Sequence, residues 1–414
     1  MKQVMIISLL FCCSLTVFAQ LTIHDCYIKA RDNYPLIKQY GLIEKSKDYH
    51  LSNASKGYLP QITFSAKISY QSEVTEVPIV LPGIKGMNKD QYGATVDVSQ
   101  VLWDGGMIQS KKEMIRTGSE VEKKSLEVDL YAIKDRINQL YFGILLFDAQ
   151  LEQNRLFQEE LKRNLDKVSA CIKNGVANQA DLDAVKVEQL KAIQVKSQLT
   201  HVRNAYVDVL SAMIHEKLDE QVVLLQPEQI IFSGSIVQRP ELELFKAQVN
   251  RLEVQQQEIR AGWMPKLGIF LTGGYGNPGL NMLKSGFSSY YIVGMRLSWN
   301  LSNLYPNKNN KRLIQNNIQS VLTQQENFLF HVNLDVLKKQ RELSKYREQI
   351  KYDDEIISLR NSVKQSSEAK MSNGTLSGID WMRDVLAEDL AKQEKILHEI
   401  ELLLTMYHLK YIRN

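Results

Sequence analysis

The sequence predicts a mainly helical protein with a four-stranded antiparallel sheet and an internal two-fold repeat. In four segments, apolar and polar residues alternate over about ten positions, which is typical of strands with one apolar face. Residues 107–173 contain no proline and repeat apolar residues at spacings of three and four, which is typical of helices packed side by side. The same order of elements recurs in the second half of the 414 residues, which indicates a repeat.

Residues 1–19 are predicted to be a signal peptide. Lys2 supplies a positive charge, residues 4–18 are mostly apolar, and the stretch ends in a small residue suited to cleavage. Cys12 and Cys13 raise lipidation as an alternative, which the continuing apolar run disfavours. No later segment has the roughly 18 consecutive apolar residues that a spanning helix needs, so we expect no helical membrane anchor in the mature chain.

The composition argues against several classes of function. Charged residues make up 24% and hydrophobic residues 44%, the balance of an ordinary folded protein. The net charge of +4 is small for this length and gives no basic stripe, so we expect no nucleic-acid partner. The seven histidines lack metal-ligand spacing, so we expect no metal and no other cofactor. The chain has no nucleophile elbow, phosphate-binding loop or paired carboxylates, and is predicted not to be an enzyme.

The first repeat is predicted to cover residues 20–237. Thr22 and Asp25 offer a capping box at its start, and Asn174-Gly175 has the chemistry of a helix end. A helix of about 65 residues would be about 100 Å long, which suits a bundle or tube rather than a globular domain. The predicted elements are a helix at 22–56 broken near residue 34, a hairpin, a long helix at 107–173 and a return helix at 181–218, for which Asp181 is a plausible start.

The second repeat is predicted to cover residues 238–414. Pro240 lies 205 positions after Pro35, and Asn373-Gly374 lies 199 positions after Asn174-Gly175. The residues that interrupt or end helices therefore occur at corresponding positions of the two halves. The last helix has apolar residues in the heptad spacing of a coiled coil. The predicted elements are a helix, a hairpin, a long helix at about 309–372 and a last helix at about 380–412.

Each predicted strand is long enough to cross a bilayer at a tilt, although the same alternation fits half-buried strands of a soluble sandwich. Four strands cannot close a barrel, and in hydrocarbon every unpaired edge group costs several kcal/mol. We therefore expect further copies of the chain to complete the sheet. Lys67, Asp97 and Arg296 on the polar face would line a wet interior. The predicted strands are 61–70, 92–102, 266–275 and 290–300.

The order of several short motifs resembles a known family. The motifs are the signal peptide, Leu21-Thr22-Ile23, Tyr58-Leu59-Pro60-Gln61, Leu102-Trp103-Asp104-Gly105-Gly106, and the two Asn-Gly pairs that precede aspartate-started helices. In this order they resemble the TolC-like outer-membrane efflux proteins, over essentially the whole mature chain. This resemblance implies a homotrimer whose twelve-stranded transmembrane β-barrel lies in outer-membrane lipid and continues as a long α-helical barrel in the periplasm.

The resemblance also implies function and partners. Such channels are the exit ducts of tripartite efflux pumps or type I secretion systems, and they dock to a periplasmic adaptor protein and an inner-membrane transporter. Specificity lies largely in the transporter, so the sequence predicts the duct and not its cargo. The alternative function is a secreted or periplasmic coiled-coil scaffold without a pore.

In the resembling family, acidic rings just after the two helix turns narrow the periplasmic end. Asp380 matches one acidic position, and Arg383 stands where a second aspartate is common, with Asp384 as a possible substitute. Asp181 is a further gate candidate. The alternatives are that Asp181 is a helix N-cap and that Asp380 is a solvent-exposed cap that pairs with Arg383.

Two further sets of residues have predicted roles. We expect adaptor contact, in addition to plain helix C-capping, from the two tips, which consist of Asn174, Gly175, Val176, Asn373, Gly374 and Thr375. Trp103, Tyr291 and Trp299 lie near strand ends and fit an aromatic girdle at the membrane surface, with packing in a soluble core as the alternative.

Overall fold

The computed structural model describes residues 21–75, 87–230, 237–284 and 286–414. It is mainly helical with a four-stranded antiparallel sheet, as the sequence predicted. The predicted signal peptide lies outside the described residues. In chain order the elements are α1 (Ile23–Asn33), α2 (Gln39–Ser55), β1 (Gln61–Tyr70), β2 (Asp90–Trp103), α3 (Met107–Lys173), α4 (Gln179–Ile214), α5 (Pro240–Gly262), β3 (Lys266–Asn277), β4 (Ser288–Ser298), α6 (Asn307–Ser372) and α7 (Gly378–Arg413).

Local capping chemistry decides where the helices begin and end. At α1 the Thr22 hydroxyl accepts from the Asp25 backbone N–H at 3.1 Å, and the Asp25 carboxylate accepts from the Thr22 N–H at 3.2 Å. α1 ends at Asn33, before the extended residue Tyr34 that precedes a proline. α4 begins at Gln179, so the interpretation of Asp181 as an N-cap is wrong: Asn178 is the N-cap, and Asp181 completes its capping box from the third helical position.

The turn Asp104-Gly105-Gly106 joins β2 to α3. The Asp104 carboxylate accepts from the backbone N–H of Gly106 at 2.9 Å and of Ile108 at 2.6 Å, which satisfies donors at the helix start. Gly105 has a φ of 71°, and a Cβ there would lie 2.4 Å from the Cβ of Met264. Only glycine fits this position without displacing α5 or the turn.

The described residues divide into two compact units. One, which we call the sheet unit, takes its residues from Lys38–Asp129 and Gln238–His331. The other, the helical unit, takes them from Met1–Ile37, Leu130–Val237 and Val332–Asn414. Each unit therefore contains residues from both halves of the chain.

In the sheet unit the strand order is β1-β2-β3-β4, and every neighbouring pair is antiparallel. The β2–β3 pairing joins the two hairpins, with Val98 opposite Leu271. Strands β2 and β3 extend about two residues beyond the predicted ranges at the hairpin end, and β4 begins and ends two residues earlier than predicted.

The helical unit buries apolar residues between its helices. On α3, Leu130, Ile133, Ile137 and Ile144 follow the predicted spacing of three and four and are all buried. The buried Tyr141 hydroxyl lies within hydrogen-bonding distance of the backbone carbonyl oxygens of two connecting segments, at Leu21 (2.8 Å) and Leu225 (2.7 Å). Across the described residues, no helix combines the length and the apolar character needed to cross a membrane.

Candidate functional site

One face of the sheet is apolar from edge to edge. The register places Phe64 opposite Val96, Val98 opposite Leu271, and Leu271 opposite Val293, so the apolar residues of all four strands share this face. These side chains are not covered: exposure is 70% for Phe64 and 69% for Val293. The exposed apolar residues of this face are Ile62, Phe64, Ile68, Tyr70, Tyr92, Val96, Ile269, Leu271, Tyr275, Tyr291, Val293, Met295 and Leu297. An exposed apolar patch of this extent marks a surface made for lipid or for other protein.

The opposite face holds the predicted pore-lining residues Lys67, Asp97 and Arg296. Asp97 pairs with Thr63 on β1 and with Thr272 on β3, and its carboxylate accepts from the Thr272 hydroxyl at 2.5 Å. The guanidinium of Arg296 lies over the Phe270 ring, 5.0 Å from its centre. The structure thus places all three charged residues on one face, although this face also carries aromatic residues that alternation alone did not predict.

Glycines on that second face make room for two aromatic rings. A Cβ at Gly274 would lie 2.3 Å from the Tyr290 ring, and one at Gly294 would lie 2.9 Å from the Phe270 ring. The two rings therefore lie flat across neighbouring strands, and the Arg296 guanidinium covers one of them. This arrangement places the Arg296 guanidinium against an aromatic ring on the polar face.

The predicted girdle residues fall at two ends of the sheet. Trp103 and Trp299 lie at the end where the strands meet helices, and Tyr291 lies towards the hairpin end. An irregularity in the β2–β3 register places Trp103 opposite Leu267, on the apolar face, whereas strict alternation would have put it on the polar face. The Trp299 indole N–H donates to the Trp263 carbonyl at 2.9 Å. The girdle role stays a prediction.

Both edges of the sheet are open within the described part of the chain. β1 pairs only with β2, and β4 pairs only with β3, so each has a row of backbone groups without strand partners. Three antiparallel steps separate β1 from β4, so these two edge strands run in opposite directions.

In the helical unit, the two predicted tips have the same backbone geometry. Gly175 and Gly374 have φ angles of 72° and 75°. After the first, the Val176 N–H donates to the Cys171 carbonyl at 2.9 Å; after the second, the Thr375 N–H donates to the Lys370 carbonyl at 2.9 Å. Both are Schellman C-caps, which require a left-handed residue and favour glycine. The tip residues themselves are exposed: Asn174, Gly175, Val176, Asn373, Gly374 and Thr375.

Asp181 connects the two tips. One carboxylate oxygen accepts from the Asn178 N–H at 3.1 Å, within the capping box of α4. The other accepts from the Ile379 N–H at 3.2 Å, in the first turn of α7. A Cβ at Gly378 would lie 2.6 Å from the Asp181 Cβ, so glycine permits this close approach. Asp181 is only 3% exposed, and it acts here as a shared cap for two helix N-termini.

The other three gate candidates have different surroundings. Asp380 occupies the position in α7 that corresponds to Asp181 in α4: Ser377 is its N-cap, and the Ser377 hydroxyl donates to the Asp380 carboxylate at 2.8 Å. Asp380 also pairs with the exposed Arg383 at 3.2 Å. Asp384 faces inward and accepts from the buried Ser367 hydroxyl of α6. Asp380 and Arg383 therefore lie near solvent. Asp181 and Asp384 instead accept hydrogen bonds from other residues of the chain.

Beneath the tips lies an apolar core built from α3, α4, α6 and α7. Trp381 is its largest fully buried side chain, at 1% exposure. Its indole N–H has no hydrogen-bond partner among the described residues, so apolar packing alone holds it. The buried members are Phe157, Leu161, Val168, Val185, Ala192, Met371, Trp381, Met382 and Val385.

A buried polar cluster continues along these helices. Lys364 of α6 pairs with Glu160 of α3 at 2.7 Å and with Glu388 of α7. Burial works against the charged forms, but the pairing outweighs it: the pKa of Lys364 is raised and the pKa of Glu388 is lowered. Both groups are therefore charged at neutral pH.

Asp389 is the exception in this cluster. Its carboxylate accepts from Gln153 at 2.8 Å and from Gln393 at 2.6 Å, and no cationic side chain among the described residues contacts it directly. Burial raises its pKa above the ordinary value of 3.8, against the lowering effect of those two hydrogen bonds. This cluster was not predicted from the sequence. Its only signal in the sequence is the presence of polar residues at helix positions that face a neighbouring helix. The described residues contain no group of three or more side chains suited to hold a metal ion.

Comparison with known proteins finds this fold among outer-membrane channels. The chain superposes on CusC, a protein that forms a transmembrane channel, with a TM-score of 0.70 and 12% identity, over 95% of this chain and 92% of CusC. For the outer membrane protein VceC of Vibrio cholerae the TM-score is 0.68 at 11% identity, over 95% and 96% of the two chains. For the MtrE outer membrane channel of Neisseria gonorrhoeae it is 0.67 at 12% identity, over 94% and 88%.

These matches confirm, for a single chain, the mainly helical fold with a four-stranded antiparallel sheet that the TolC-like resemblance predicted. No protein-family model matches the chain. No curated protein sequence matches it either.

Proposed function

We propose that the chain forms a homotrimeric outer-membrane channel that passively conducts exported molecules for a tripartite efflux pump or a type I secretion system. The observation that carries this proposal is the sheet, whose apolar face is uncovered and whose two edges are open. The fold match to outer-membrane channels supports it. Three copies would give a twelve-stranded barrel, continued by an α-helical barrel in the periplasm.

The edge geometry favours a closed barrel. Because β1 and β4 run in opposite directions, β4 of one copy can pair with β1 of the next copy and keep the whole ring antiparallel. Bacterial barrels of this kind have an even number of antiparallel strands, and closure removes every unpaired edge from the hydrocarbon. The internal two-fold repeat proposed from the sequence would supply one hairpin from each half of the chain.

In such a barrel, one face of the sheet would contact lipid and the other would contact the water-filled interior. Burying each large apolar side chain of the outer face in lipid contributes roughly 1.5–3 kcal/mol. Lys67, Asp97 and Arg296 would face the water-filled interior, where the hydrogen bond from Thr272 fixes Asp97 and the Phe270 ring supports Arg296. These charges would influence which ions and solutes pass.

The tips would contact the periplasmic adaptor, which in turn joins an inner-membrane transporter. The exposed residues that follow Gly175 and Gly374 form two loops of equal geometry, which suits repeated docking elements. Asp380 and Arg383 are the gate candidates available for contacts with other copies or with the adaptor, because they stay near solvent. Asp181 would contribute indirectly by joining the two tips.

Reconstitution separates the channel from the scaffold alternative. Purified full-length protein is expected to need detergent, to have the mass of a trimer, and to give discrete conductance steps in planar bilayers. A detergent-free soluble protein without conductance would favour the coiled-coil scaffold.

A charge substitution tests the pore lining directly. Lys67→Glu is expected to shift the reversal potential in a KCl gradient towards cation selectivity, because the charge would sit in the conducting space. Lys89→Glu, at the exposed hairpin end, makes the same charge change as a control. Equal reversal potentials for the wild type and Lys67→Glu would mean that Lys67 does not line the pore.

A further inference from the structure

The end of the sheet that meets the helices is strongly basic. β1 and β3 begin there, and β2 and β4 end there, as the pairings of Trp103 with Leu267 and of Lys266 with Ser298 show. Segments 49–61, 104–116, 258–266 and 299–313, which lead into or out of this end, contain nine lysines and arginines against three acidic residues. One of the three, Asp104, is buried as a helix cap.

Six of these cations form a set that we call the basic collar: Lys56, Lys111, Lys266, Lys308, Lys311 and Arg312. All six are exposed. Lys56 donates to the Asn53 side chain at 3.3 Å, and none of the six forms an ion pair with a carboxylate in the described part of the chain. Surface cations elsewhere on the helices commonly pair with an acid three or four residues away, as Arg155 does with Glu152. The collar therefore has charge available for an external anion.

The hairpin end of the same sheet differs. Its described residues at 70–75, 87–91, 277–284 and 286–289 contain Lys89 and Lys284 against Glu73 and Asp90, which leaves no net charge. Of the two ends of the sheet, in the described part of the chain, only the helix end thus carries a net positive charge.

Exposed apolar side chains lie in the same place as the collar. The short 3-10 helix Leu301–Leu304 follows β4, and Leu301, Leu304 and Tyr305 are 53%, 40% and 84% exposed. The segment is anchored to the end of α5, because the Asn303 side chain donates to the Gly262 carbonyl at 2.8 Å. This mixture of exposed apolar residues and free cations is typical of surfaces that lie at a lipid interface.

We propose that the basic collar binds the headgroups of anionic phospholipids in the leaflet next to the helix end of the sheet, with Leu301–Tyr305 among the upper acyl chains. The proposal rests on the proposed function, because it requires the apolar face of the sheet to lie in a bilayer. Lysine and arginine near an anionic membrane surface are attracted over about a Debye length, roughly 8 Å at physiological salt. Lysine stems can also lie along the apolar surface while the ammonium groups reach the phosphates.

The experiment uses tryptophan fluorescence in the reconstituted full-length protein. Trp103 and Trp299 lie at the collar end of the sheet and are about half exposed, so brominated acyl chains beside them should quench their emission. Vesicles contain phosphatidylcholine and phosphatidylglycerol in equal amounts, with bromine on only one of the two lipids. Binding to the collar predicts that brominated phosphatidylglycerol quenches roughly two- to fivefold more strongly than brominated phosphatidylcholine. High salt should reduce the difference.

The test variant is Lys308→Gln, Lys311→Gln and Arg312→Gln combined, which should bring the ratio of the two quenching strengths close to one. The matched control combines Lys162→Gln, Arg163→Gln and Lys196→Gln, three exposed cations of the helical unit, and should keep the wild-type ratio. A wild-type ratio of one, or the same ratio in the test variant and the wild type, would overturn the lipid proposal and leave an acidic protein surface as the collar's partner. Absence of quenching by either lipid would instead mean that the protein is not inserted, which contradicts the proposed function itself.

Discussion

In the sheet unit, the apolar side chains of one whole face are exposed, whereas the helical unit buries a continuous apolar core and exposes only part of its apolar residues, such as Leu190 and Leu337. Phe64 and Val293 are about 70% exposed, but Leu161 and Val168 in the core beneath the tips are 0% exposed. The helical unit also buries charged groups, and it does so with partners, as in the contacts of Lys364 with Glu160 and Glu388.

The difference shows which unit can build an apolar core within one chain. A helix satisfies its own backbone groups, so four helices can form a core from side chains alone. A four-stranded sheet leaves two edges and one apolar face without partners, so it needs material from outside the chain. The following substitutions test this contrast, from the largest expected effect to the smallest.

Truncation of a tryptophan should have very different effects in the two units. Trp381→Ala removes a fully buried side chain from the core beneath the tips, and should lower the free energy of unfolding by about 3–5 kcal/mol. Trp299→Ala removes a half-exposed side chain with one hydrogen bond, to the Trp263 carbonyl, and should cost under about 1.5 kcal/mol. Guanidinium unfolding in detergent, followed by circular dichroism, measures both. Equal losses would mean that the sheet unit packs its apolar residues as the helical unit does.

Lysine substitutions at two neighbouring positions of β4 should affect membrane insertion differently, because the two side chains lie on opposite faces of the sheet. Val293, at the middle of the strand, lies on the apolar face, and Ile292 lies on the other. Val293→Lys should disfavour membrane insertion by about 2–4 kcal/mol, as expected for a lysine near the bilayer centre.

Ile292→Lys adds the same charge to the same strand, and should insert nearly as well as the wild type. The fraction of protein that floats with lipid vesicles in a density gradient measures both variants. Equal insertion of the two would contradict the assignment of the apolar face to lipid.

Two aspartates at equivalent positions of α4 and α7 should contribute differently to the free energy of unfolding. Asp181→Ala removes a buried carboxylate that accepts from Asn178 and from Ile379, and should cost about 1–3 kcal/mol. Asp380→Ala removes a solvent-exposed ion pair with Arg383 and should cost under about 1 kcal/mol.

Hydrogen exchange provides the readout. Faster exchange in the first turns of both α4 and α7 is expected for Asp181→Ala, and in α7 alone for Asp380→Ala. Faster exchange confined to α4 in Asp181→Ala would mean that the carboxylate does not connect the two tips.

The smallest expected effect is a change in pH dependence. Because burial raises the pKa of Asp389, the protonated form favours the folded state, and the wild type loses this stability as the pH rises from 3.8 through the higher folded pKa. Asp389→Asn should therefore be more stable than the wild type at pH 7, by under about 1 kcal/mol, with no difference below pH 3.8.

Thermal unfolding at several pH values measures this effect. Asp354→Asn, at an exposed position paired with Lys395, is the control and should show no such gain. A less stable Asp389→Asn at pH 7 would indicate that the two glutamine contacts stabilise the charged form.

Much of the fold was predictable because its signals are local. Alternation predicted the antiparallel strands, heptad spacing predicted the long helices, and the Asn-Gly pairs predicted their ends. The predicted helix start after the first tip is wrong: the N-cap is Asn178, and Asp181 stands three positions after it. A capping box contains two candidate residues, and the sequence does not say which one begins the helix.

The candidate site was less predictable, because its residues come together over long distances. The contact of Asp181 with Ile379 joins residues 198 positions apart, and the basic collar gathers cations from four separate segments. A total charge of +4 gave no sign of this concentration. The register irregularity that moves Trp103 to the apolar face depends on how β2 meets β3, which alternation within one strand does not encode.

The sequence by itself determined the type and order of the elements and the apolar face of each strand, because backbone periodicity and capping act over a few residues. Only the tertiary structure decided the strand register, the sharing of Asp181 between two helix starts, and the pairing of Lys364 with two acids. Those features depend on which surfaces pack together, and each is stabilised by contacts between residues that lie far apart in the chain.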